Sequence, residues 1–80
     1  MTIEEVVLYA WVGEDEQGSG ELGLKQALCP AGIIPLVSVR EEKMRLPFIG
    51  LQLQMQATHY GKTIRLCRFT FAGVIEELKP

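Results

Sequence analysis

The stretch that most constrains how this chain can fold is residues 3–12, which read IEEVVLYAWV. From Val6 to Val12 every residue is apolar, and most are β-branched or aromatic, which favours a strand over a helix. Gly13 ends the run. Because successive side chains of a strand point to opposite sides, the sequence predicts a strand that is apolar on both faces over its second half.

Shorter apolar runs, separated by turn-forming residues, follow along the chain. Pro30 and Gly32 suit a turn, because proline presets one backbone angle and glycine accepts a positive one. Pro35 lies inside an apolar run and has no N–H to donate, so that strand is expected at a sheet edge or with a late start. Strands are expected at residues 24–28, 33–37 and 62–71, with a short terminal element at 74–78.

One short helix is expected at residues 39–46. Ser38 and Glu41 have the spacing of a capping box, in which two side chains satisfy the first free N–H groups of a helix. Pro47 would end that helix, because proline lacks an N–H and clashes with the preceding turn. We therefore expect an α+β fold, a small domain rich in antiparallel sheet, with residues 1–80 forming a single domain.

Residues 51–57, LQLQMQA, alternate strictly between apolar and polar side chains. That period of two predicts a half-buried strand. The alternative is one long helix over residues 39–60, because leucine, glutamine and methionine all favour helices. Pro47 and Gly50 argue against that alternative.

The chain is apolar-rich for its length. It has 80 residues, of which 48% are hydrophobic, and its mean hydropathy is +0.14. A domain of this size buries only about 60 to 65% of the surface that its unfolded chain exposes. Part of the apolar surface is therefore expected to pack against a second subunit, which predicts a homo-oligomer.

The sequence also predicts a compartment. It contains no run of roughly 18 apolar residues of the kind that crosses a membrane as a helix. Glu4 and Glu5 precede the first apolar run, whereas a signal peptide carries positive charge there. We expect a cytoplasmic protein without membrane contact, in which Cys29 and Cys67 are reduced thiols that pack like small apolar side chains.

Charge is distributed unevenly along the chain. Residues 1–23 hold six acids and no base, whereas residues 24–80 hold eight bases and four acids, which gives formal charges of −6 and +4. One interpretation is that the acidic part docks on the basic part of a neighbouring subunit. The alternative is that two solvated faces differ in sign.

Residues 11–26, WVGEDEQGSGELGLKQ, raise the question of a metal site. Aligned on an EF-hand calcium loop, Asp15 takes the first position, but Gln26 takes the twelfth, where calcium requires a bidentate glutamate. We therefore expect a mobile connection between strands, with no metal bound. The alternative is a loose carboxylate cluster that holds a divalent ion weakly, formed by Glu14, Asp15, Glu16 and Glu21.

Motifs for phosphate and nucleic-acid binding are incomplete. Residues 61–63, GKT, end like a phosphate-binding loop, but Gln56 stands where that loop requires its first glycine. Basic and aromatic side chains of residues 60–71 suggest a stacking surface for single-stranded nucleic acid. However, Arg65 and Arg68 fall on opposite faces of a strand, and the isoelectric point of about 5.3 opposes phosphate attraction, so we expect no nucleic-acid partner.

Residues suited to catalysis are scarce. The chain has one histidine, one aspartate, two serines and no asparagine. His59 would have to serve any imidazole-based mechanism, and its spacing ties it to no nucleophile. Two cysteines and one histidine fall short of the four ligands of a structural zinc site. We expect no catalytic residue, metal or cofactor.

The chain resembles, over its full length, the short orphan reading frames of integron-type mobile gene cassettes. The resemblance rests on its compactness and on WVGEDEQGSGELGLKQ followed by CPAGIIPLVSV. It also rests on the lack of any functional motif. It implies no activity, and small oligomers with ligand pockets would be in keeping with it.

Two functional hypotheses follow. The first is a non-enzymatic, homo-oligomeric module that binds a partner protein. The second is a small-molecule binding protein or minimal enzyme whose pocket forms at the subunit interface. The expected lining of that pocket is mainly aromatic and comprises Tyr9, Trp11, Phe48, Met55 and His59.

Overall fold

The computed structural model describes residues 1–15 and 17–80. They form six strands and two α-helices, and every strand pairing is antiparallel, which confirms the α+β class. In chain order the elements are β1 (Val7–Glu14), β2 (Leu22–Leu24), β3 (Gln26–Cys29), β4 (Gly32–Pro35), β5 (Val37–Ser38), α1 (Glu41–Met44), α2 (Pro47–Tyr60) and β6 (Ile64–Thr70).

Strand β1 is the centre of the main sheet. It pairs along its length with β6 on one side, and with β2 and β5 on the other. The β3–β4 hairpin is inserted between β2 and β5, and its base is fixed by main-chain bonds. Lys25 N donates to Trp11 O at 2.9 Å, and Leu36 N donates to Lys25 O at 3.0 Å. Within the described residues β4 pairs with β3 alone, so Pro35 lies on an edge strand as expected.

The helical region corrects the sequence prediction. Residues 39–46 contain only the four-residue α1, and the longer helix is α2, which runs straight through residues 51–57. The predicted strand there was wrong. Proline is well tolerated in the first turn of a helix, so Pro47 begins α2 rather than blocking it. Gly61 closes α2 in the left-handed conformation at φ 65°.

The expected apolar face of residues 51–57 is also corrected. On a helix, residues two apart point in different directions. Leu53 is therefore buried, whereas Leu51 and Met55 are exposed on the opposite side of α2. Leu51, Leu53 and Met55 therefore do not form the single apolar face that a half-buried strand would give them.

Both ends of the chain are less regular than the sequence suggested. Residues Ile3–Glu5 form a single 3-10 turn, so the first strand begins only at Val7. Residues 74–78, all of them described, form neither helix nor strand. Among the described residues, no helix is both long and apolar enough to span a membrane.

The core lies on one face of the main sheet, beneath the helices. Its buried residues are Ala27, Leu36, Met44, Ile49 and Leu53, and Tyr9, Trp11, Ile34, Ile64 and Leu66 pack against them. Trp11 connects the sheet to α1, because its Nε1 donates a hydrogen bond to the main-chain oxygen of Met44 at 2.8 Å. A buried indole N–H normally has such a partner.

Candidate binding groove

The acidic segment between β1 and β2 is a hairpin loop closed by its own hydrogen bonds. Asp15 N donates to Glu21 O at 2.9 Å, and the Asp15 carboxylate accepts the N–H of Gln17 at 2.8 Å. Gly18 and Gly20 have φ values of 83° and 79°, which glycine adopts without the penalty of a side chain. The sequence pattern thus encodes a turn; Glu16 of the proposed carboxylate cluster lies outside the described residues.

The hydrogen bond from Gln17 has the largest effect on the acidity of Asp15. The N–H of Gln17 lowers the pKa of the Asp15 carboxyl, with further lowering from the Ser19 hydroxyl and the positive charge of Lys62. Each favours the ionised carboxylate over its protonated form. Asp15 therefore stays charged to a lower pH than an ordinary aspartate.

Two lysines of the same chain contact the hairpin and offset part of its negative charge. The ammonium group of Lys62 lies 3.3 Å from the Glu14 carboxylate and donates to the main-chain oxygen of Asp15 at 3.3 Å. Lys25 donates to the main-chain oxygen of Glu14 at 3.4 Å. Part of the −6/+4 split is thus satisfied within one subunit, without the neighbouring subunit that the sequence suggested.

A groove of about 590 Å³ opens between this hairpin, the β3–β4 hairpin and α2. One wall is acidic, formed by Glu14, Asp15 and Glu21 with Lys25 beside them. The other walls carry carboxamides and aliphatic side chains: Gln26, Gln52, Gln56, Leu28 and Ile33. This combination suits hydrogen bonding to a polar backbone and contact with alternate apolar side chains.

The side of the groove towards α2 is built from glutamine side chains. The Gln52 carboxamide accepts the N–H of Leu28 at 2.8 Å and donates to the Leu28 carbonyl at 2.7 Å, so it pairs with β3 as another strand would. Gln56 also lines the groove, and its Oε1 is buried without a hydrogen-bond partner among the described residues. Buried polar atoms are normally paired, so this oxygen is available to a donor from a ligand or from water.

The outer edge of β2 faces the groove. The register pairs Gly13 with Gly23 and Glu14 with Leu22, and Asp15 N bonds to Glu21 O. In an antiparallel pair the hydrogen-bonded and non-bonded positions alternate. The main-chain N–H and C=O groups of Leu22 and Leu24 therefore point away from β1, towards the groove.

The five residues expected to line a pocket lie elsewhere. Tyr9 and Trp11 pack together against the core, whereas Phe48 and Met55 are exposed on α2. His59 is exposed near the end of α2 and makes an edge-to-face contact with Tyr60, with ring centroids 4.7 Å apart. None of the five is among the described residues that line the groove, so their role in a pocket between subunits stays a prediction.

Neither cysteine is among the described residues that line the groove. Cys29 and Cys67 are both free and half-buried, in agreement with the expected reduced thiols. Within residues 1–15 and 17–80, no three histidine, cysteine, aspartate or glutamate side chains are grouped closely enough to hold a metal ion.

No protein-family model matches the chain, and no curated protein or solved structure is significantly similar to it.

Proposed function

We propose that the protein is a non-enzymatic module that binds an extended segment of a partner protein in the groove. The observation that carries the proposal is the open edge of β2, where Leu22 and Leu24 direct main-chain groups into a cleft of about 590 Å³. An added strand gains affinity from such an edge and specificity from the side chains around it.

The walls of the groove favour a segment that alternates basic and apolar residues. Glu14, Asp15 and Glu21 face one side, which attracts lysine or arginine. Leu28 and Ile33 offer apolar contact on another side, and both are largely exposed. Because side chains of a strand alternate, one extended peptide reaches both walls.

A peptide titration tests this proposal. The probe is a synthetic seven-residue peptide in which lysine and valine alternate. Binding is measured by NMR from the chemical shifts of the protein's amide groups. A peptide with glutamate in place of lysine is the charge control. We expect saturable shifts of the Leu22 and Leu24 amides with the lysine peptide alone. Shifts that are scattered over the surface, or equal for both peptides, would contradict the proposal.

Two variants sharpen the titration. Leu22→Pro removes an outward N–H without removing a bond to β1, and is expected to weaken binding about fivefold, as for one lost hydrogen bond. Glu21→Gln is expected to weaken it by up to about fivefold, because an exposed charge pair contributes about 0 to 1 kcal/mol. Glu4→Gln, the same charge change outside the groove, is the control and should leave affinity unchanged.

A small polar metabolite is the second candidate ligand. The groove volume of about 590 Å³ lies within the roughly 300 to 1,000 Å³ of small-molecule sites. The unpaired Gln56 Oε1 would accept a hydrogen bond from it. Binding of such a compound would be abolished by Gln56→Leu and unaffected by Leu22→Pro, which separates this candidate from an added strand.

A further inference from the structure

The face of the main sheet opposite the helices carries mostly apolar side chains. Register and alternation place side chains from four strands on it, which we call the open face: Leu8, Ala10, Val12, Glu14, Leu22, Leu24, Val37, Arg65, Cys67 and Phe69. Its two charged residues, Arg65 and Glu14, lie towards one end. Ala10 is only 1% exposed and lies outside the core cluster beneath the helices. Leu8, Leu24 and Phe69 remain 38%, 52% and 48% exposed.

This composition is unusual for a solvated sheet face. An antiparallel sheet with one wet face normally alternates apolar and polar residues along each strand. Strand β1 does not alternate, since Leu8, Ala10 and Val12 face away from the helices while Tyr9 and Trp11 face the core. Such a strand has the composition of one that is buried on both faces.

The solvent-accessible surface of the chain is also larger than that expected for a folded monomer of its mass. The chain exposes 6452 Å², whereas a folded monomer of 8.9 kDa is expected to expose about 4,800 Å². Its radius of gyration is 14.5 Å, against about 11.6 Å for a compact chain of 80 residues. This excess of surface is larger than the roughly 800 Å² per partner that a standard interface buries. Leu8, Leu24 and Phe69 of the open face are among the exposed apolar side chains.

We propose that a second copy of the chain covers the open face, so that two sheets pack face to face about a two-fold axis. A two-fold interface joins identical patches, and the apolar side chains of the open face meet that requirement, with Arg65 and Glu14 at one end of the patch. Edge-to-edge pairing through β6 is less suited, because Arg65 and Arg68 place charge on that strand. Leu24 belongs to both surfaces, because its side chain lies on the open face while its outward main-chain groups lie at the edge of the groove.

Matched charge substitutions test which surface forms the dimer. Sedimentation at tens of micromolar should give twice 8.9 kDa for the native chain and for Met55→Glu, which alters the exposed side of α2. Phe69→Glu, on the open face, should give a monomer with an unchanged circular dichroism spectrum. A monomeric native chain, or a dimer lost in Met55→Glu and kept in Phe69→Glu, overturns the proposal.

If Phe69→Glu fails to fold, the reactivity of the two thiols tests whether a second copy covers the open face. Cys67 lies on the open face and Cys29 in the β3–β4 hairpin, and both are half-buried in one subunit. In Cys29→Ser, Cys67 should react with a disulfide reagent at least about tenfold faster after 100-fold dilution. Cys29 in Cys67→Ser should react at the same rate at both concentrations. A Cys67 rate that does not change on dilution would refute the proposed interface.

Discussion

At the scale of single residues, one side chain, that of Asp15, stabilises the turn of the acidic hairpin. Asp15 accepts the N–H of Gln17 and thereby turns the chain, as short acidic side chains commonly do. The same bond lowers the pKa of its carboxyl. Residues 11–26 raised the question of a calcium loop in the sequence. In the structure, Asp15, which would take the first position of that loop, instead accepts hydrogen bonds from main-chain N–H groups of a turn.

The lowered pKa of Asp15 predicts a pH dependence of stability. Because the folded-state pKa lies below the unfolded one, the stabilisation is present above the ordinary aspartate range and is lost as pH falls through the lowered pKa. Asp15→Asn keeps an acceptor for Gln17 but does not titrate. The melting temperature of the native chain should exceed that of Asp15→Asn at pH 7. The gap should shrink as the pH falls below the ordinary aspartate range and close below the lowered pKa. A gap independent of pH would contradict this cause.

Two glycines of α2 should respond oppositely to the same substitution. Gly61 has φ 65°, so Gly61→Ala should destabilise the protein by about 1 to 2 kcal/mol. Gly50 lies inside the helix with open space around it, so Gly50→Ala should stabilise by about 0.5 to 1 kcal/mol. Urea unfolding measures both. A stabilising Gly61→Ala would mean that α2 does not end in the left-handed conformation.

At the scale of elements, the glutamine-rich helix connects fold and groove. Gln52 and Gln56 lie one turn apart, so both reach the groove, while Gln54 points elsewhere and bonds to Thr58 at 3.2 Å. The alternation of LQLQMQA thus distributes its glutamines over two sides of a helix. One of those sides protects the edge of β3, which would otherwise expose main-chain groups.

The pairing of Gln52 with β3 predicts a graded effect on stability. Gln52→Ala removes two hydrogen bonds to Leu28 and should destabilise the protein by about 1 kcal/mol, a modest value because the site is exposed. Gln52→Glu keeps the bond from the Leu28 N–H and loses the other, so it should fall between. Gln54→Ala is the control on the same helix and should change the unfolding free energy less. Equal effects at positions 52 and 54 would show that the β3 contact contributes nothing.

At the scale of the whole molecule, the proposed dimer is supported by where the apolar side chains lie. The helices cover one face of the main sheet, and the core beneath them is small. Leu8, Leu24 and Phe69 lie outside it on the other face. The ion pair between Lys62 and Glu14 lies within one subunit, and the proposed dimer rests on apolar burial rather than on charge pairing.

Much of the fold could be predicted from local pattern alone. The strand around Val7–Glu14 follows from its β-branched and aromatic residues, and the edge position of Pro35 follows from its missing N–H. The groove could not be predicted, because its walls come from residues as far apart in sequence as Glu14 and Gln56. Neither their types nor their spacing indicates that the chain brings them together.

What the sequence determined by itself is the set of local preferences: where strands and turns form, and that the central strand is apolar on both faces. Tertiary structure decided the rest. Residues 51–57 alternate as a strand would, yet burial of Ile49 and Leu53 one turn apart, between Pro47 and Gly61, stabilises a helix. The preferences of these residues for a strand and for a helix are of roughly the same size, so packing against the sheet selects the helix.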